Sequence, residues 1–244
     1  MEFNEFYEYC RQVFEANDYL PTVEETKILK LHRLTERMLK VNKYMNLTAI
    51  KDEKSVILKH YADSLAVSKY IPENSKVIDI GCGAGFPTLP LAIFRPDLRI
   101  TALDSTAKRI NYVTETAKML ELDNVNAIAA RAEDMANDMM HREKFDVVTA
   151  RAVASLPILS ELCLPFVHVD GQFIAMKSQK TSDEVENSAN AIKKCGGCLN
   201  RVIRLKLSDS EGASDDRTLV IIDKKAHTPR EFPREFSKIK KKPL

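Results

Sequence analysis

Three of the chain's seven glycines fall within five positions, in Lys76-Val-Ile-Asp-Ile-Gly81-Cys-Gly83-Ala-Gly85-Phe86. An apolar, strand-like run breaks there into a loop spaced G-x-G-x-G. Such a loop lets the backbone approach a ligand where any Cβ would collide with it. Asp79 stands near the end of the run before it, and the apolar stretch Leu89-Pro-Leu-Ala-Ile-Phe94 after it can open a helix. The chemistry on offer is a backbone cradle for a cofactor.

Spacing narrows the choice of cofactor. A dinucleotide fingerprint, G-x-G-x-x-G, needs a third glycine for close helix–strand packing. Counted from Gly81, that position is Phe86, a bulky ring. A phosphate-cradling P-loop needs Gly-Lys-Ser/Thr after four intervening residues, and no such string occurs. What remains is the spacing associated with S-adenosylmethionine in methyltransferases, with a glycine-rich turn that holds no ligand as the plain alternative.

The elements around the loop must position it. Up to about residue 70 the chain reads as helices. Phe3, Phe6, Tyr7, Cys10, Val13 and Phe14 recur at three and four, and Thr22 with Glu25 is spaced as a capping box. The next helix carries Ile28, Leu31, Leu34, Met38 and Val41 on one face and Lys27, Lys30, Arg33, Arg37 and Lys40 beside it. A third helix is expected from about Glu53 to Tyr70. From Ser75 strands alternate with helices, the pattern of a parallel sheet covered on both faces. Strands are expected at Lys76–Ile80, Ile100–Leu103, Val125–Ala129, Phe145–Ala150 and Gln172–Met176, with helices at 88–94, 106–120, 132–141 and 154–166. A last helix at 182–194 leads to strands Leu199–Leu207 and Thr218–Asp223, with a mobile turn at 208–216 between them. Five β/α units and a terminal antiparallel pair make an α/β chain on the plan of the seven-stranded, class I, Rossmann-like methyltransferase fold. The expected division is a helical cap over 1–72 and a catalytic domain over 73–244.

In open α/β sheets ligands bind beyond the carboxyl ends of the strands. Gly81 and Gly83 lie at the first such end. Asp104 ends the second strand, 23 residues after Gly81, where a carboxylate can accept from both ribose hydroxyls. Its alternative role is a helix N-cap. Arg131-Ala132-Glu133-Asp134 follows the third strand: Ala132 leaves room for an adenine ring, and Glu133 can accept from the exocyclic amine or cap a helix. Arg151 follows the fourth strand and faces the transferable methyl, with a surface ion pair as its alternative.

Composition limits the rest. A chain of 244 residues, 44% hydrophobic and 30% charged, suits a soluble protein with one substantial core. No apolar run reaches a membrane span and no signal peptide opens the chain, so a cytoplasmic location is expected. The five cysteines are odd in number, and Cys195-Gly-Gly-Cys198 lacks a second Cys/His pair, so reduced thiols and no metal are expected. The net charge of +2 hides polarity. Residues 1–26 carry seven acids against Arg11 alone, 27–71 carry ten Lys/Arg against four acids, and 224–244 carry eight against two. Two basic segments suit an anionic partner, or are plain solvated surface. No long apolar heptad asks for a second copy, so a monomer is expected.

These residues together resemble the bacterial small-subunit ribosomal RNA guanine-N7 methyltransferases of the RsmG (GidB) type, over nearly the whole chain. The likeness runs through Asn46-Leu-Thr-Ala-Ile50 with Tyr44 before it, Lys59-His60, Asp63-Ser-Leu65, and Val77 to Pro87. It continues in Asp104-Ser with Lys108-Arg109, Arg131-Ala-Glu133, Arg151-Ala, Ala175-Met-Lys177, Pro229-Arg230, Pro233-Arg234 and Lys241-Lys-Pro-Leu244. The resemblance implies S-adenosylmethionine as cofactor, with contacts from Gly81, Phe86, Ala132, Glu133 and Arg151. It implies small-subunit (16S) ribosomal RNA or the 30S subunit as substrate; from their strand-end positions Arg151 and Lys177 are then the candidates to hold guanine O6. The basic stripe of 27–40 and the tail Lys238-Ile-Lys-Lys-Lys242 then have phosphates to hold. A small-molecule methyltransferase, or an RNA-binding assembly factor without turnover, are the other readings of the same residues.

Overall fold

A computed structural model describes all residues except 19, 179–181 and 210. Helices α1 (Phe3–Glu15) and α2 (Glu25–Met45) open the chain. The short α3 (Glu53–Val56), a π-helical segment at Ile57–Ala62 and α4 (Asp63–Leu65) then run on end to end. The body alternates β1 (Lys76–Ile80), α5 (Thr88–Phe94), β2 (Arg99–Asp104), α6 (Ala107–Met119), β3 (Val125–Ala129) and α7 (Ala132–Met135). It continues with β4 (Phe145–Arg151), α8 (Leu156–Cys163), β5 (Val167–Ser178), α9 (Ser182–Lys194), β6 (Gly197–Ser208), β7 (Ser214–Lys224) and α10 (Phe236–Lys241).

The seven strands form one sheet in the order β3-β2-β1-β4-β5-β7-β6. The first five pair in parallel, and β7 inserts antiparallel between β5 and β6. The order reverses between β1 and β4, where Asp79 lies opposite Thr149, and that switch point opens the crevice ligands use. The core residues of β1 and β4 (Val77, Ile78, Val147, Val148) are fully buried, as parallel strands covered on both faces must be.

The helical start is part of the same core. Phe6, Leu31, Leu34, Met38, Ile57 and Tyr61 belong to one apolar cluster with Val77, Leu89 and Val113 of the sheet side. The basic residues of α2 help fasten it there. Arg33 donates to the carbonyl of Met119, and Arg37 bonds Thr116 and Glu115 while lying over the Tyr112 ring. Lys27 pairs with Glu24 and sits over Phe94. Much of the stripe expected to hold phosphates therefore holds helices.

Several boundaries differ from expectation. The helix expected to start at a Thr22–Glu25 capping box begins at Glu25 with Glu24 as its N-cap, and Lys27 and Ile28 donate to the Glu24 carbonyl instead. The helix expected over 132–141 stops at Met135, because Asp138 folds the chain back by accepting from the N–H of Met140 and from His141. The one expected over 154–166 gives way at Leu164–Phe166 to a 3₁₀ turn containing Pro165, which has no N–H to continue it. The turn at 208–216 is well anchored. Asp209 Oδ1 accepts from the N–H groups of Glu211 and Ala213, Tyr9 donates to its Oδ2 at 2.9 Å, and Lys54 pairs with Glu211; residue 210 of that turn lies outside the described residues.

Candidate active site

Two cavities meet at the carboxyl ends of the parallel strands, sharing Ala152 after β4. The first, about 300 Å³, is lined by Gly81, Asp104, Arg131, Ala132, Glu133 and Phe236 among others. The second, about 510 Å³, is lined by Lys59, His60, Asp63, Arg151, Lys177 and Arg217 among others.

The glycine loop forms one wall of the first cavity. Gly81 has φ +73°, and a Cβ there would stand 2.6 Å from Cγ2 of Val153, which packs against it in the same wall. Only glycine meets both demands. Below the loop, the Asp79 carboxyl accepts from Thr88 at 2.7 Å and Thr149 at 3.2 Å, so one buried acid joins β1, α5 and β4. Asp104, only 6% exposed, accepts from the Gly83 N–H through Oδ2 and from the Thr106 N–H through Oδ1. The N-cap of α6 is Thr106 rather than Asp104. A carboxylate has about four acceptor positions, so Asp104 keeps capacity for a ligand's hydroxyls while it shapes the loop.

Phe236 is the residue of this wall that the local pattern hides. It comes from α10, in the basic tail, and the Arg131 guanidinium lies 5.8 Å from its ring centroid. The tail is held by Arg234, which donates through its main-chain N–H, Nε and Nη2 to the fully buried Glu161 of α8. An aromatic two residues from Pro233-Arg234 was the available signal, but nothing nearby in sequence says what it faces.

The second cavity centres on Arg151. Its Nη1 donates to Asp63 Oδ2 at 2.9 Å and to the carbonyl of Lys59, inside the π-helical segment. Nη2 lies 3.3 Å from His60 Nδ1. Arginine has no acceptor, so His60 Nδ1 must be the unprotonated nitrogen, and Nε2–H donates to Thr48 at 2.9 Å. The His60 ring stacks on Phe86 at 4.5 Å and 11°, and the Arg151 guanidinium lies 5.4 Å from the same ring. Arg217 grips the other oxygen of Asp63 at 3.0 Å. Lys177 pairs with Glu184 at 2.7 Å and donates to the carbonyl of Ala154.

Of the residues expected at the cofactor, Gly81, Asp104, Ala132 and Glu133 line the first cavity together. Gly83 stands behind it on Asp104. Phe86 is 4% exposed and packs beneath His60 and Arg151 rather than facing the cavity. Arg151 and Lys177 line the second cavity. No group of three or more His, Cys, Asp or Glu is arranged for a metal among the described residues.

Neither His60 nor the buried thiols are poised to take a proton or to attack as thiolates. Burial, aided by the Arg151 charge, pushes His60 down to about 3, and its accepting nitrogen already faces Arg151. Burial raises the Cys82 and Cys163 thiols well above the usual range. Burial also pushes Asp79 up to about 6, against the hydrogen bonds from Thr88 and Thr149 and the charge of Arg151. A carboxyl raised above its unfolded value of 3.8 stabilises the fold below that pH and loses the contribution as pH rises through 6. Relative to wild type, Asp79→Asn is therefore expected to gain on the order of 3 kcal/mol between pH 3.5 and pH 7.5. Urea unfolding of both proteins at the two pH values measures it; a difference that does not change with pH would refute a proton on Asp79.

A family profile described as rRNA small subunit methyltransferase G matches residues 27–211. Proteins named ribosomal RNA small subunit methyltransferase G are 42% identical over 215 residues in Lactobacillus delbrueckii subsp. bulgaricus and 45% identical over 209 residues in Thermoanaerobacter sp.. The alignments cover 86% of this chain and 88% of the first relative, and 85% and 86% for the second. The chain belongs to the rRNA small subunit methyltransferase G family.

The enzyme is thus an rRNA methyltransferase whose cofactor is S-adenosylmethionine and whose substrate is RNA. Solved structures agree on the fold alone. A complex of M. jannaschii TYW2 with AdoMet aligns with a TM-score of 0.53 at 18% identity, covering 67% of this chain and 75% of that one. A precorrin-6y C5,15-methyltransferase from Geobacter metallireducens aligns at 0.51 and 14% identity, covering 74% and 92%. The first cavity fits the cofactor on its own terms: a glycine at positive φ whose bare backbone lines it, and a buried acid with spare acceptor positions.

Proposed function

We propose that the enzyme methylates N7 of a guanine in small-subunit (16S) ribosomal RNA. The carrying observation is membership of the rRNA small subunit methyltransferase G family together with two adjoining cavities, one with the glycine loop and Asp104, the other with Arg151 and Lys177. S-adenosylmethionine, when bound, supplies a methyl group on a sulfonium that passes to a nucleophile's lone pair. In neutral guanine N7 is unprotonated and keeps its lone pair in the ring plane, so no side chain need remove a proton. Catalysis falls to alignment and exclusion of water, and alignment alone can supply roughly 7–11 kcal/mol of a barrier.

Residue roles follow from chemistry. Gly81, Asp104, Ala132, Glu133 and Phe236 hold the cofactor, with Asp104 accepting from ribose hydroxyls and Phe236 beside the adenine. Gly83 acts through its N–H on Asp104, and Phe86 acts by carrying the ring stack under Arg151. Guanine presents O6 and N7 as acceptors, and N7 must stay free for the methyl. Arg151 or Lys177 therefore holds O6 alone. The helices of 1–72 form a cap whose Lys59, His60 and Asp63 fix Arg151, while residues 73–244 carry the cofactor.

The enzyme acts in the cytoplasm as a monomer, on ribosomal RNA free or within the 30S subunit. The sheet edge β6 carries Arg201, Arg204 and Lys206, charges that oppose edge-to-edge pairing. No described helix is long and apolar enough to cross a membrane. Incubation with methyl-labelled S-adenosylmethionine and small subunits or naked rRNA, followed by mapping of the modified base, tests the reaction. Label confined to protein, to a small molecule or to an exocyclic amine would refute it.

The tail lysines Lys240, Lys241 and Lys242 are exposed beside the buried Ile239 that anchors α10. Replacing all three by Ala is expected to weaken RNA binding and flatten its salt dependence by about one unit of slope per lost phosphate contact. S-adenosylmethionine affinity stays as in wild type. RNA affinity that is unchanged across a salt series would remove the tail from the interface.

A further inference from the structure

The most spacious of the cavities described is neither of the two at the active site. About 680 Å³ lies between α2 and α6, with Val41, Met45 and Tyr112 contributing its apolar lining and Tyr44, Lys108 and Arg109 at its edge. Tyr44 is 72% exposed, an unusual setting for a large ring that packing does not require. The Lys108 side chain has no ion-pair partner among the described residues and is exposed. Arg109 lines both this groove and the cofactor cavity, 3.6 Å from Asp104. The one acid of the groove, Glu115, is neutralised by Arg37 at 2.6 Å. An aromatic platform, an apolar floor and surplus positive charge are the parts a single strand of nucleic acid needs: bases stack, and cations follow the phosphates.

We propose that the α2–α6 groove holds a single-stranded nucleotide neighbouring the target guanine, its base stacked on Tyr44 and its phosphate on Lys108 and Arg109. This rests on the reading of the enzyme as an RNA methyltransferase acting in the adjoining cavities. Arg109 joins the groove to the cofactor cavity, and that cavity shares Ala152 with the one around Arg151, so RNA flanking a guanine held beside Arg151 can run along the rim past Arg109 into the groove. Tyr44 and Lys108 touch neither the cofactor cavity nor the Arg151 cluster. Their loss changes how the RNA is held and leaves the cofactor alone.

Stacking and charge give different signatures, which the test exploits. Binding of a small-subunit rRNA transcript is measured across a salt series for wild type, Tyr44→Ala, Tyr44→Phe and Lys108→Ala, with S-adenosylmethionine affinity measured in parallel. Tyr44→Ala is expected to lose about tenfold in RNA affinity at every salt concentration, with its slope unchanged, and Tyr44→Phe to recover it. Lys108→Ala is expected to lower the slope by about 0.7, the value for one phosphate on a single strand. All four proteins bind S-adenosylmethionine alike. Tyr44→Ala binding RNA as wild type does, while wild type methylates that RNA, would overturn the groove and leave the enzymatic reading standing. A Tyr44→Ala defect that Tyr44→Phe fails to recover would overturn stacking as its cause. Wild type that neither binds nor methylates the transcript or the 30S subunit would overturn the reading beneath both.

Discussion

Asp104→Ala is expected to lower S-adenosylmethionine affinity about 100-fold. The carboxylate does two things at once. It holds the Gly83 and Thr106 N–H groups, and so the path of the glycine loop, and in the proposed binding mode its remaining acceptor positions go to ribose. Hydrogen bonds to a charged group are worth roughly 1.5–3 kcal/mol each, so losing two charged acceptances reaches about 3 kcal/mol. Asp104→Asn keeps one acceptor oxygen and is expected to fall between the two. Calorimetric titration with S-adenosylmethionine measures both. Affinity in Asp104→Ala within threefold of wild type would show that the ribose and the loop are held by something else.

Arg234→Ala is expected to be the most destabilising single change, by about 3–5 kcal/mol. Glu161 is fully buried, and its hydrogen-bond partners among the described contacts are the main-chain N–H and the guanidinium of Arg234. Truncating the arginine leaves a charge in the core without its cation, a much larger cost than losing a surface pair. The same change loosens the segment that carries Phe236 to the cofactor cavity, so cofactor affinity falls with stability. Because the chain has no tryptophan, Phe236→Trp supplies a unique fluorophore at that wall. Its emission is expected to respond to S-adenosylmethionine in the otherwise native chain and to lose that response when Arg234→Ala is added. Denaturant unfolding that places Arg234→Ala within 1 kcal/mol of wild type would refute the buried pair's role; a Phe236→Trp emission indifferent to cofactor would take the tail out of the site.

Local pattern carried much of the fold because each signal lies within a few residues. The strand at Val125–Ala129 and the helices at 88–94 and 182–194 have the bounds expected of them. The glycine loop was equally legible, since a φ near +73° and a blocked Cβ direction admit only one residue type. Differences arise where a side-chain contact that periodicity does not register decides. The helix expected to 141 ends early, where the side chain of Asp138 turns the chain back. Arginines read as a phosphate stripe are engaged with α6 and its end, whose position relative to α2 no local spacing encodes.

By itself the sequence determined the kind of fold, the glycine loop and the strand ends around it, because strand–turn–helix order and glycine chemistry are local properties. Tertiary structure alone decided what each charged residue is for. Arg151 is held by Asp63 and His60 from 88 and 91 residues away, and Phe86, whose ring displaced the dinucleotide reading, serves as the plate beneath them. Phe236 reaches the wall of the first cavity through Glu161, 73 residues from the arginine that it grips. Charge and aromatic surface have no fixed partner along a chain; the fold chooses one by bringing it within hydrogen-bond distance and removing the water between.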